Sequence, residues 1–122
     1  MQASTQESLF SIPIGIVHVS LLLRHARSLK DKRQVVASLT QRLKNQGFSV
    51  AETGFVDEPK RANLGFSYVG SSLGQVNRAL EEALRLFQGD FEVLDTQKTV
   101  LDFSGEMGSE YSEDEALKFG LE

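Results

Sequence analysis

The feature that most narrows what this chain folds into is a change of hydrophobic period, from two to 3.6 and back, that occurs twice in succession. Ile14 to Leu23 alternate, with Gly15, Val17, Val19, Leu21 and Leu23 on one face and Ile14, Ile16, His18, Ser20 and Leu22 on the other. That is the pattern of a half-buried strand whose first face belongs to the core. Ser28-Leu29-Lys30-Asp31 then carries a helix-start signature, and Gly47 offers a stop. Between them Leu29, Val35, Val36, Leu39 and Leu43 fall within an arc of about 120°, the apolar stripe of an amphipathic helix. Phe48 to Val56 and Arg61 to Val69 read as two more strands joined by the polar turn Asp57-Glu58-Pro59-Lys60. In the second of these Ala62, Leu64, Phe66 and Tyr68 share the apolar face. Ser72-Leu73-Gly74-Gln75 opens a second helix, with Leu73, Val76, Leu80, Ala83, Leu84 and Phe87 on its stripe and Gly89 at its end. A last strand runs from Phe91 to Phe103, with a polar middle at Asp95 to Lys98 that is expected to bulge or to face solvent.

The order β-α-β-β-α-β, in halves of similar length, is the split βαβ arrangement: an α+β, ferredoxin-like fold with a four-stranded antiparallel sheet and two helices on one face. Right-handed crossovers are expected to make the first and third strands central, parallel neighbours. The loops after them, 24–27 and 70–72, would then leave the same end of the sheet. The other sheet face is left uncovered by the fold itself.

A length of 122 residues with 40% hydrophobic content and no cysteine predicts one soluble globular domain, without disulfides or thiolate metal sites. Residues 1–13 are expected to be a flexible arm, 14–103 the domain, and 104–122 an acidic tail with a short helix over 113–119. No apolar run reaches the roughly 20 residues of a membrane span, and residues 1–10 lack the basic start of a signal peptide. A cytoplasmic protein with no membrane association is the expectation.

The formal charge of −4 conceals opposed segments. Residues 24–44 hold seven bases against Asp31, a net of +6, whereas 104–122 hold six acids against Lys118, a net of −5. What a polyanion meets is the local field and not the sum. Arg24, Arg27, Ser28, Lys30, Lys32, Arg33 and Lys44 are therefore the candidate nucleic-acid or anion-binding residues. Ser28 would cap the helix and share the anion at its N-terminus, where free N–H groups attract negative charge. Lys30, Arg33 and Lys44 share one stripe with Ala37 between them. Lys32 instead projects into the middle of the apolar arc, so its head must reach past the core edge. Gly70-Ser71-Ser72 would join the same end as a second phosphate-compatible turn.

On the uncovered face, alternation places Ile14, Ile16, His18 and Ser20 together, near Asn63 and Ser67 and with Glu52 and Asp95 beside them. A mixed apolar and polar sheet surface of this kind suits a protein interface, and His18 would pair with Glu52 across strands. An aromatic base-stacking platform is not expected, because Phe66 and Tyr68 lie on the core side. Nothing in the chain forms a nucleophile–base pair, so no catalytic residue, cofactor or metal ligand is assigned and a non-enzymatic protein is expected.

The block Arg27-Ser28-Leu29-Lys30-Asp31-Lys32-Arg33-Gln34-Val35-Val36, followed by Ser49-Val50-Ala51-Glu52-Thr53-Gly54 and Arg61-Ala62-Asn63-Leu64-Gly65, resembles the YlxP-like family of small bacterial proteins. The likeness covers about residues 14–103 and implies the same ferredoxin-like fold. The family's function is formally unknown; its genes often neighbour those of transcription-elongation, translation-initiation and ribosome-maturation factors, which implies RNA or a ribosomal subunit as partner. Where the family usually has a tryptophan in the hairpin turn, this chain has Asp57-Glu58-Pro59-Lys60. The expectation is an RNA- or ribosome-associated binding protein, six of whose cations would give a log–log salt slope near −4 on single strands. Its alternatives are a homodimer or protein-interaction module built on the open sheet face, and a phosphorylated small-molecule site at the basic loop.

Overall fold

The computed structural model describes residues 10–105. The sequence-based tail helix over 113–119 and most of the N-terminal arm lie outside them. In chain order the elements are β1 (Phe10–Leu22), α1 (Leu29–Asn45), β2 (Ser49–Gly54), β3 (Arg61–Val69), α2 (Leu73–Leu84) and β4 (Glu92–Gly105). The sheet has the order β2-β3-β1-β4, and every neighbouring pair is antiparallel. This is the expected ferredoxin-like fold.

Two expectations change. The central strands β1 and β3 are antiparallel, with Ile14 opposite Val69 and Leu22 opposite Arg61. Each helix returns the chain so that β1 parallels β2 and β3 parallels β4. Because β3 is joined to β2 by a hairpin, it must oppose β1. The loop after β1 therefore shares its end of the sheet with the β2–β3 hairpin, where Leu23 N–H donates to the Lys60 carbonyl at 2.8 Å. The Gly70-Ser71-Ser72 turn lies at the far end, where Gly70 N–H donates to the Pro13 carbonyl.

The second change is that residues 10–13 are strand and not arm. β1 and β4 stay paired from Ile14 and Leu101 out to Phe10 and Gly105, beyond the last β3 partner. Pro13 is tolerated because it sits just where β1 outruns β3, and no ladder bond needs its missing N–H on that side.

The core lies between the sheet and the two helices. Val17, Val19, Leu21 and Leu23 from β1 and its exit meet Ala62, Leu64 and Phe66 of β3, Leu39 and Leu43 of α1, and Val76, Leu80 and Ala83 of α2. Phe48 closes one end edge-on to Phe66 at 5.4 Å and tilted against Tyr68 at 5.1 Å, while Phe87 stacks on Phe66 at 5.6 Å. Phe66 and Tyr68 are thus committed to packing, as their alternation predicts. Ser28 caps α1 by accepting from Asp31 N–H, and Ser72 caps α2 by accepting from Gln75 N–H. After Asn45 the chain turns through Gly47 at φ +97°, a backbone shape that favours glycine. In β4 one extra residue, Leu94, is accommodated where Ser20 faces Asp95 but Leu21 faces Val93.

Gly15 marks the closest approach of α2 to the sheet. A Cβ there would lie 2.8 Å from Val76 Cγ1 and 2.9 Å from Leu80 Cδ2. Gly15→Ala is expected to lower unfolding free energy by about 1–3 kcal/mol through overpacking, read as a lower urea midpoint at unchanged slope.

Candidate anion-binding face

The seven sequence-predicted residues divide into those committed to structure and those presented to solvent. Lys32 belongs to the first group. It is 1% exposed, and its ammonium lies 2.8 Å from Glu52 Oε2 and donates to the carbonyls of Phe55 and, at 3.4 Å, Val56. An ammonium has three N–H donors, and three acceptors surround this one. It is a clamp between α1 and the start of the β2–β3 hairpin, closed to any external anion.

Glu52 accordingly does not face the open sheet surface. In β2 the helix-side positions are Val50 and Glu52, in step with Phe48, and the open side shows Ser49, Ala51 and Thr53. His18 pairs not with Glu52 but with Thr53, whose hydroxyl is 3.0 Å from its Nε2. Thr53 reaches across β3 because residue 65 is glycine; a Cβ there would sit 3.2 Å from its methyl group.

Arg24 is also spoken for, since its guanidinium pairs with the carboxylate of Glu92 at the start of β4. Lys60, from the hairpin, donates to the carbonyls of Arg24 and Ala26, both at 2.9 Å, and holds the β1–α1 loop against the hairpin. At the N-terminus of α1, Ser28 Oγ is used by Asp31 N–H, and the Asp31 carboxylate accepts from Arg27 N–H at 2.8 Å. The anion that a helix start attracts is thus supplied by the chain's own Asp31. Ser28 is a cap. Ser71 and Ser72 are likewise occupied by Gln75, and at the opposite end of the molecule.

Arg27, Lys30, Arg33 and Lys44 remain exposed, and among the described residues none of them forms an ion pair. Lys30, Arg33 and Lys44 share an arc of about 60° on α1, with exposed Ala37 and Gln41 between them and no carboxylate in the stripe. From residue 30 to residue 44 the stripe is about 21 Å long at 1.5 Å per residue. Arg42, on the flank of α1, instead shares a hollow with Asp90.

Sequence reasoning missed the clamp, although both halves of its signal were present: a lysine centred on an apolar arc and a glutamate in step with Phe48 and Val50. It also missed Phe55. This residue is 45% exposed, adopts φ +59°, and lies under the Arg61 guanidinium, 4.4 Å from the ring centroid. No local pattern announces a phenylalanine in that conformation; its carbonyl accepts from Lys32 and, at 3.0 Å, from Glu58 N–H.

A family model described as a protein of unknown function (DUF503) matches residues 14–98. The chain belongs to this family. The YlxP-like resemblance agrees, since the chain is 32% identical over 72 residues to the uncharacterized protein YlxP of Bacillus subtilis strain 168, covering 58% of this chain and 78% of that one. A dimeric ferredoxin-like protein from an uncultured marine organism aligns over 75% of this chain and 94% of its own at 14% identity, with a TM-score of 0.33, a likeness too slight to carry any argument. Among the described residues no helix is long and apolar enough to cross a membrane.

Lys32→Met is expected to destabilise the fold by about 2–4 kcal/mol, because it strands a carboxylate and two carbonyls. Adding Glu52→Gln should restore part of that loss, and urea unfolding of the single and double variants measures the difference.

Proposed function

We propose that this protein is a non-enzymatic binding protein that holds single-stranded or structured RNA, free or in a ribosomal subunit, against the exposed face of α1. The observation that carries this is the carboxylate-free stripe of Lys30, Arg33 and Lys44, with Arg27 at its loop end, on a chain that is acidic overall. Surface acids outnumber bases elsewhere, so a face with none is a localised positive field. Its cations are separated by small or neutral side chains, which let a phosphate backbone approach the helix. A cytoplasmic setting, where such RNA is found, belongs to this reading.

The geometry supports fewer contacts than the sequence suggests. With Arg24 paired and Lys32 buried, three or four phosphates are neutralised in place of six. The log–log salt slope on single strands should therefore be about −2 to −3. Co-sedimentation with ribosomal subunits and fluorescence titration with a single-stranded RNA, at low and moderate salt, test this. Lys30→Glu with Arg33→Glu is expected to abolish binding while the circular dichroism spectrum and melting temperature stay near wild type, because both side chains are exposed. Binding retained by this pair, or a wild type that binds neither partner, would overturn the proposal.

A further inference from the structure

Among the described residues nothing covers an apolar half of the sheet face opposite the helices. Alternation and register place Phe10, Ile12, Ile14 and Ile16 of β1 on that face, with Val69 of β3 and Leu101 and Phe103 of β4 beside them. Ile16 is 46% exposed and Val69 63%, and Leu101 and Phe103 are exposed as well. The neighbouring positions on the same face are Ser49, Ala51, Thr53, Gly65, Ser67, Gln97 and Thr99, with His18 between Gly65 and Gln97; none of them is an acid, a lysine or an arginine. Among the described residues, acids and bases appear on it toward the other end, with Arg61, Glu92 and Asp95.

The same half carries an unsupported extension. Four residue pairs, from Pro13 and Asp102 to Phe10 and Gly105, continue as a two-stranded ribbon past the end of β3. At 3.3 Å per residue it projects about 13 Å. Such ribbons are marginal alone and need a packing partner on their apolar side. Here that side is the open one: Phe10 packs on Phe103 at 5.4 Å, with Ile12 adjacent, whereas the helix-side surface carries Ser11 bonded to Asp102 at 2.6 Å.

We infer that this half-face and its ribbon form the interface of a two-fold symmetric homodimer, in which two sheets stack face to face and the helices lie outside. Two features favour a second copy over another partner. The surface is neutral, so it meets its own copy without like-charge repulsion. It also holds both a protrusion and a recess: Ile16 stands beside a shallow hollow of about 340 Å³ floored by Gly65 and walled by Ser49, Ala51 and Ser67. A two-fold axis seats the Ile16 of each copy in the hollow of the other. The β4 edge is a poorer surface for pairing, since the bulge at Leu94 and the exposed Lys98 interrupt it.

The dimer is independent of RNA binding but bears on it, because it leaves the two basic stripes outward on opposite faces and makes the particle bivalent. Sedimentation velocity on the full chain, from about 1 to 200 µM, should show a dimer of twice 13.5 kDa. Ile16→Asp places two unpaired charges in the interface and should weaken association more than about 100-fold; Leu101→Lys should do likewise. Both sites are solvent-facing in the monomer, so melting temperature extrapolated to low concentration should be unchanged. A full chain that stays monomeric throughout, or a dimer indifferent to both substitutions, would overturn the inference. So would a monomer that dimerises only after removal of residues 106–122, which would make the chain's own tail the occupant of this face.

Discussion

One buried ammonium connects most of what distinguishes this molecule. Lys32 projects from the core side of α1, and its head is surrounded by a carboxylate from β2 and two carbonyls from the hairpin that follows. Removing a charge from water costs several kcal/mol unless it is paired, so the ammonium has to lie beside these acceptors. It ties α1 to β2 and to the start of the hairpin, where Phe55 adopts a left-handed conformation under Arg61. A buried pair of this kind contributes more to uniqueness than to net stability, which comes from the apolar side chains between helices and sheet.

Packing and pairing also set which cations stay exposed. Basic residues that look alike in sequence have different fates because α1 turns by 100° per residue. Lys30 and Arg33 emerge on the solvent side, and Lys32 enters the core. Arg24 and Lys60 tie the loop to β4 and to the hairpin, and Asp31 supplies the negative charge that the helix start favours. What faces outward is a stripe of well-separated cations on a rigid helix, suited to a repeating phosphate backbone more than to one small anion that needs convergent donors. The opposite surface has the reverse character over the half nearest the ribbon, uncharged and largely apolar, because a single helix layer covers only one side of an antiparallel sheet.

Much of this was legible in the sequence. Element order, both serine caps, the glycine after α1 and the core faces of β1 and β3 follow from short-range periodicity, since each depends on residues within a turn or two of one another. The Lys30, Arg33 and Lys44 stripe was legible for the same reason. The fates of Arg24 and Lys32 were not, because Glu92 and Glu52 are 68 and 20 positions away and only the sheet brings them close. The direction of β3 against β1 was missed for a topological reason: a hairpin partner of β2 must oppose the strand that β2 parallels. The β1–β4 ribbon escaped notice because its residues appear patternless until the register pairs them, with Pro13 marking where the third strand ends.

The sequence by itself determined the local structure and the family, because helical and strand periods, caps and the Arg27 to Val36 block are properties of neighbouring residues. The tertiary structure alone decided which charges are spent and which are offered, and where apolar surface is left bare. Those outcomes depend on contacts between residues far apart in the chain, and a side chain's pKa, exposure and partners are set by what folding brings beside it.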